Sequence, residues 1–146
     1  MENFEYYGLF IDQESKQQLL NIAKNYVDKP FYKEFAHHVT LLHRSQYKPH
    51  LDFLLERFNL LKGETFPIII SEIGISDKAV AFKVEGCSEF CCNFIPHITV
   101  GTFEGGKPVD SNKIEANQWI KINPFVVHGI LGVNKVVNPS LCKTKT

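Results

Sequence analysis

Two short segments of this 146-residue chain carry side chains suited to acid–base chemistry: His38-Val39-Thr40-Leu41 and His97-Ile98-Thr99-Val100. Each reads His-apolar-Thr-apolar. Along a strand, side chains alternate between faces, so His and Thr two apart share one face and the apolar pair takes the other. The apolar face can pack on a core while the polar face looks outward. Brought around one cleft, the four polar groups suit cleavage of a phosphodiester. One imidazole takes a proton from the attacking water or hydroxyl, and the other gives a proton to the departing oxygen. Histidine serves both roles because it titrates near neutral pH. The Thr40 and Thr99 hydroxyls can donate to non-bridging oxygens as charge builds there. This chemistry calls for no metal and no cofactor, and the sequence offers no carboxylate-rich cage for an ion.

The flanks of the two segments also agree. Phe35–Pro49 (FAHHVTLLHRSQYKP) and Phe94–Pro108 (FIPHITVGTFEGGKP) align without gaps and share Phe, His, Thr, Lys and Pro. A helix candidate follows each window, so the pattern predicts an internal duplication, two lobes about a pseudo-twofold axis. A zinc site at His37, His38 and His43 is the competing reading. It is disfavoured because His37 and His38 point to opposite faces if both lie in a strand.

The elements that would hold these groups can be read from patterning. Phe4–Ile11 predicts a strand, and Asp12 is placed to cap a helix whose apolar face is Leu19, Ile22, Ala23, Tyr26 and Val27, ending before Lys29-Pro30. His37–His43 predicts the first motif strand. Pro49 opens a second helix, with Leu51, Leu54, Leu55, Phe58 and Leu61 on one face and Gly63 as its stop. Phe66–Ile75 and Ala79–Val84 predict a hairpin through Ser76-Asp77-Lys78. Residues 94–102 form the second motif strand, Gly105-Gly106 a turn, Ser111–Trp119 a short helix and Phe125–Val133 the last strand. The tail after Asn138 is expected to be loose. Strands and helices mingle without a steady βαβ rhythm, so the class is α+β in a single domain over residues 1–146.

Bulk properties narrow the partners. The chain is 44% apolar and 12% aromatic, a globular composition, and its formal net charge is zero. A protein gripping long nucleic acid through its phosphates is usually basic. Neutrality favours one or two nucleotides held in a pocket. Charge is uneven all the same: Lys29, Lys33, Arg44 and Lys48 stand against Glu34 alone between residues 29 and 50, and His37, His38, His43 and His50 share that stretch. No run is long and apolar enough for a membrane span, and MENFEYYGLF lacks the features of a secretory signal. Cys87, Cys91, Cys92 and Cys142 lack knuckle spacing and are expected to be reduced thiols of a cytoplasmic or nuclear protein. Tyr6, Tyr7, Tyr47, Phe103 and Trp119 are candidates for stacking on a base, although most such rings serve packing.

Paired His-x-Thr strands about 60 positions apart resemble the 2H phosphoesterase, or LigT-like, superfamily. Within it, His38-Val39-Thr40-Leu41-Leu42-His43-Arg44 is similar to the first motif of the cyclic phosphodiesterase domain of plant and fungal tRNA ligases. Pro96-His97-Ile98-Thr99-Val100-Gly101-Thr102, with Gly105, Lys107-Pro108 and Asn112 after it, is similar to the second. The resemblance implies a bilobal fold whose two antiparallel sheets line a central cleft with helices outside. It implies hydrolysis of a 2′,3′-cyclic phosphate at an RNA 3′ end to a 2′-phosphate. His38 and His97 would be catalytic, Thr40 and Thr99 would hold the phosphate, and His43 and Arg44 would help bind RNA. The kinase and ligase domains of those enzymes have no counterpart in these residues, so a free-standing form serving another pathway or diester is expected. Relatives act on 2′–5′ oligoadenylates, cyclic oligonucleotide signals or RNA 3′ tails. The same motifs fit these diesters, and a module that binds RNA ends without cutting is a third reading. A monomer is expected because the inferred site is built within one chain.

Overall fold

The computed structural model describes residues 4–85 and 96–135. The cysteine readings, the first two residues of the second window and the expected loose tail fall outside them. Seven strands run through the described residues: β1 (Phe4–Ile11), β2 (Lys33–Glu34), β3 (His38–His43), β4 (Thr65–Ile75), β5 (Ala79–Glu85), β6 (His97–Thr102) and β7 (Trp119–Lys135). Two helices, α1 (Gln13–Lys24) and α2 (Asp52–Leu61), interrupt them.

All pairings are antiparallel, in the order β2-β6-β3-β1-β7-β4-β5, and β5 pairs again with β6. The sheet thus closes on itself as a barrel. The α+β class holds, but one closed sheet stands where two separate sheets flanking a cleft were expected. The physical reason is that β6 joins both β3 and β5, which leaves no gap for a second sheet. One apolar cluster joins the strands to the helices, built from Tyr7, Leu9, Val39, Leu42, Ile68, Phe82 and Ile98 of the sheet and Leu19, Leu20 and Phe58 of the helices, among others. Val39 and Ile98 face each other at the β3–β6 contact, both fully buried. Each such side chain is worth about 1.5–3 kcal/mol of transfer free energy.

The helices begin and end for local reasons. Asp12 accepts a hydrogen bond of 2.7 Å from the Ser15 N–H, the expected cap, and α1 buries Leu19, Leu20 and Ala23. The helix stops at Lys24, earlier than its apolar spacing predicted, and Tyr26 is exposed. Pro49–Leu51 forms a 3-10 turn that leads into α2, which sets Phe58 against Tyr7 with ring centroids 5.2 Å apart. Gly63 follows at φ +94°, a value that favours glycine. The predicted helix over Ser111–Trp119 is instead two 3-10 turns, Pro108–Lys113 and Ala116–Gln118. Strand β7 begins earlier than predicted. It carries Asn123 and Pro124 through an irregularity between its pairings with Ile70 and Glu72, a place where a proline does not cost a ladder bond. Among the described residues no helix is long and apolar enough to cross a membrane.

Candidate active site

Strands β3 and β6 are neighbours, and their register decides what the two motifs can do together. Val39 stands opposite Ile98, the central apolar residue of each motif, so His38, Thr40, His97 and Thr99 project to the other face of the sheet. His38, Thr40, His97 and Thr99 all line one pocket of about 470 Å³, an ordinary volume for a small-molecule site.

Two bulges shape this surface. On β3, Gly8 opposes Thr40 but Tyr7 opposes Leu42, so Leu41 is an extra residue. On β6, Ala81 opposes Thr99 but Val80 opposes Gly101, so Val100 is extra. Leu41 and Val100 occupy the same place in the two windows. In an unbroken strand His43 would share the buried face of Val39. The bulge returns it to the face of Thr40, and His43 lines the pocket. Gly8 belongs to the same device. A Cβ there would lie 2.6 Å from the Val39 carbonyl oxygen, so only glycine lets β1 approach the motif strand this closely.

Local hydrogen bonds orient the groups. His38 Nε2 and Thr40 Oγ1 share a bond of 3.0 Å. Thr99 Oγ1 and Ser111 Oγ share one of 2.8 Å, and Ser111 is buried on the turn that follows Gly105-Gly106. The Ser45 N–H donates to His43 Nδ1 at 3.1 Å, so that nitrogen keeps its lone pair and a neutral ring carries its proton on Nε2. The His43 N–H in turn donates to Gln46 Oε1 at 2.9 Å. The ring of Tyr6 lies on that of His38, with centroids 4.4 Å apart and planes 19° apart.

The electrostatics distinguish His38. Burial, with positive charge on His37 and His97 adding to it, pushes its pKa down from the ordinary 6.5 to about 4. The ring is therefore neutral at pH 7. His37 is lowered too, by burial and then by Lys16.

Contrary to the expectation from the sequence, His37 and His38 do not take opposite faces of one strand. Strand β3 starts at His38, and Ala36 just before it takes a left-handed φ of +62°. The chain turns there, and His37 and His38 both line the pocket. Even so, no group of three or more His, Cys, Asp or Glu among the described residues is arranged to hold a metal ion. Arg44 is exposed on the 3-10 turn Arg44–Gln46 and is not among the lining residues, whereas Ser45 and Gln46 are. Of the stacking candidates only Tyr6 lines the pocket. Tyr7 is buried and donates to Asn59, Tyr47 donates to Asp52, and Phe103 packs on Phe31 beneath the Lys29 ammonium. Ser111 carried no signal as a partner of Thr99, because a serine in a turn is too common to stand out, whereas Phe35, which lines the pocket, stood out only as the first shared residue of the two windows.

The closed antiparallel sheet carries His-x-Thr on two adjacent strands around one pocket. The family model described as fungal tRNA ligase phosphodiesterase domain matches residues 8–138, and the chain belongs to that family. Among solved structures it is similar to a crystal structure of fungal RNA kinase, at a TM-score of 0.60 and 16% identity over 92% of this chain. The match covers 46% of that structure's chain, so these residues span about half its length. No curated protein sequence matches.

Proposed function

We propose that the protein hydrolyses 2′,3′-cyclic phosphate ends of RNA, with His38 as general base and His97 as general acid. One observation carries the reading: both imidazoles and both threonine hydroxyls line a single pocket on neighbouring strands. Membership in a tRNA ligase phosphodiesterase family supports the substrate class. His38, held neutral, can accept a proton from water as the water attacks phosphorus. His97, which must enter the step protonated, gives its proton to the 3′ oxygen as the P–O3′ bond breaks, leaving a 2′-phosphate. Thr40 and Thr99 donate to the non-bridging oxygens. The pair of imidazoles supplies both proton transfers, so the step needs no further catalyst. His43 offers an Nε2–H donor at the pocket wall. Arg44, outside the lining, would meet the RNA chain beyond the reacting nucleotide.

The test is hydrolysis of nucleoside 2′,3′-cyclic phosphates in EDTA with product analysis by phosphorus NMR. Turnover to the 2′-phosphate, lost in His38→Ala and in His97→Ala while both variants keep their fold, is the expected result. Absent turnover, or turnover that survives His97→Ala, would overturn the proposal.

A further inference from the structure

Tyr6 does not stand opposite His38 in the sheet. Its register partners are His43 on β3 and Asn134 on β7, and the residue opposite His38 is Phe10. The ring must lean along the strand to cover the imidazole, and it does so nearly face to face at 4.4 Å. Two contacts keep it leaning. The Asn134 side chain hydrogen-bonds the tyrosine hydroxyl and is itself held by Glu5 at 3.1 Å. Phe10 closes the other flank, 5.9 Å from the Tyr6 centroid and 5.8 Å from that of His38. The hydroxyl is 3.5 Å from His38 Nδ1, at the outer limit for a hydrogen bond, so ring stacking is the main contact. One face of Tyr6 is thus taken by His38, which argues against its use as a platform for a nucleobase.

We propose that Tyr6 is a positioning residue for His38, fixing the imidazole in one orientation and keeping water from its face. The proposal rests on the reading of His38 as the base. A base must hold its lone pair toward the water and stay unprotonated at working pH, and an aromatic cover pinned from β7 serves both needs. The low pKa of His38 agrees, since burial is its largest cause. The other titratable groups facing the pocket are Glu5 on β1, His37 just ahead of β3, His43 on β3 and His97 on β6. All of them remain when Tyr6 is changed, so a shift on substitution belongs to the ring.

The experiment compares wild type, Tyr6→Leu, Tyr6→Phe and Asn134→Ala by NMR titration of His38 and by the pH dependence of kcat/KM. In Tyr6→Leu the His38 midpoint should rise by about one pH unit or more toward the ordinary histidine value, and the acid limb of kcat/KM should follow it. At neutral pH kcat should fall by about tenfold or more with little change in KM. Tyr6→Phe keeps the ring but loses the hydroxyl that Asn134 holds, so it should shift both only as far as Asn134→Ala does. Asn134→Ala frees the ring without removing it and should shift His38 in the same direction by less, which keeps the idea testable if Tyr6→Leu does not fold. An unmoved His38 titration in Tyr6→Leu overturns the proposal, as does a rise in KM at constant kcat, the mark of a base platform. If His38→Ala stays active while Tyr6→Leu still moves the His38 midpoint, the catalytic reading falls and the positioning role stands.

Discussion

The close approach of Gly8 to β3 beside the pocket yields a quantitative prediction. In Gly8→Ala the new Cβ would lie 2.6 Å from the Val39 carbonyl oxygen. A comfortable contact of that type is about 3.2 Å or more, so the overlap exceeds half an ångström. Neither atom belongs to a flexible side chain, and Gly8 and Thr40 are paired across the sheet. Relief must therefore come from moving β1 against β3. Overpacking of this kind costs about 1–3 kcal/mol. Val39 is flanked by His38 and Thr40, so the shift reaches the pocket directly, and a displacement near 1 Å can cost about 100-fold in rate. Urea unfolding followed by fluorescence, run beside kcat/KM on a cyclic-phosphate substrate, measures both effects. Gly129→Ala is the control. Its Cβ would meet the end of the Ile68 side chain at 2.9 Å and Leu9 Cβ at 3.1 Å, with nothing from the pocket. It should lose stability without a specific loss of activity. A Gly8→Ala protein whose urea midpoint and kcat/KM match wild type would refute the reasoning. Equal activity losses in the two variants would do the same.

Two further outcomes are expected. His38 binds its proton near pH 6.5 in the unfolded chain but only near pH 4 in the fold, so between those values the unfolded state carries the extra proton. Its contribution is complete above pH 6.5 and is lost as pH falls toward 4, at most about 3 kcal/mol, with His37 acting in the same direction. Urea unfolding at pH 7, 5.5 and 4.5 should show a shallower pH dependence in His38→Gln, and parallel curves would contradict it. Ser111→Ala deprives the Thr99 hydroxyl of its 2.8 Å partner. It should cost about 1 kcal/mol and lower kcat by about fivefold, and steady-state kinetics indistinguishable from wild type would remove Ser111 from the site.

The grouping of the polar side chains was legible because period-two alternation is a local property. His38 and Thr40, like His97 and Thr99, share a face by strand geometry alone, and Asp12 announced α1 just as locally. The extra residue at Leu41 left a fainter trace. Leu41 and Leu42 are consecutive and both buried, which strict alternation forbids, and that doublet is what returns His43 to the polar face. The closure of the sheet left none, because it needs β6 to meet β5 on one side and β3, far back in the chain, on the other. The last strand, expected over Phe125–Val133, in fact runs from Trp119 to Lys135 and passes through Pro124. His37 was misplaced because nothing in Ala36 signals a left-handed backbone.

Closure also fixes how this pocket can respond to what enters it. In a cleft between two lobes, the spacing of facing groups changes when the lobes swing. Here His38 and His97 stand on strands laced together within one hoop, and spreading them would tear main-chain bonds on both sides of β6. The span between the imidazoles is therefore a ruler rather than a jaw. Under the proposed function, adaptation to larger or smaller diesters would fall to the turns around the rim, Arg44–Gln46 and Pro108–Lys113, while the spacing of the two histidines stays constant.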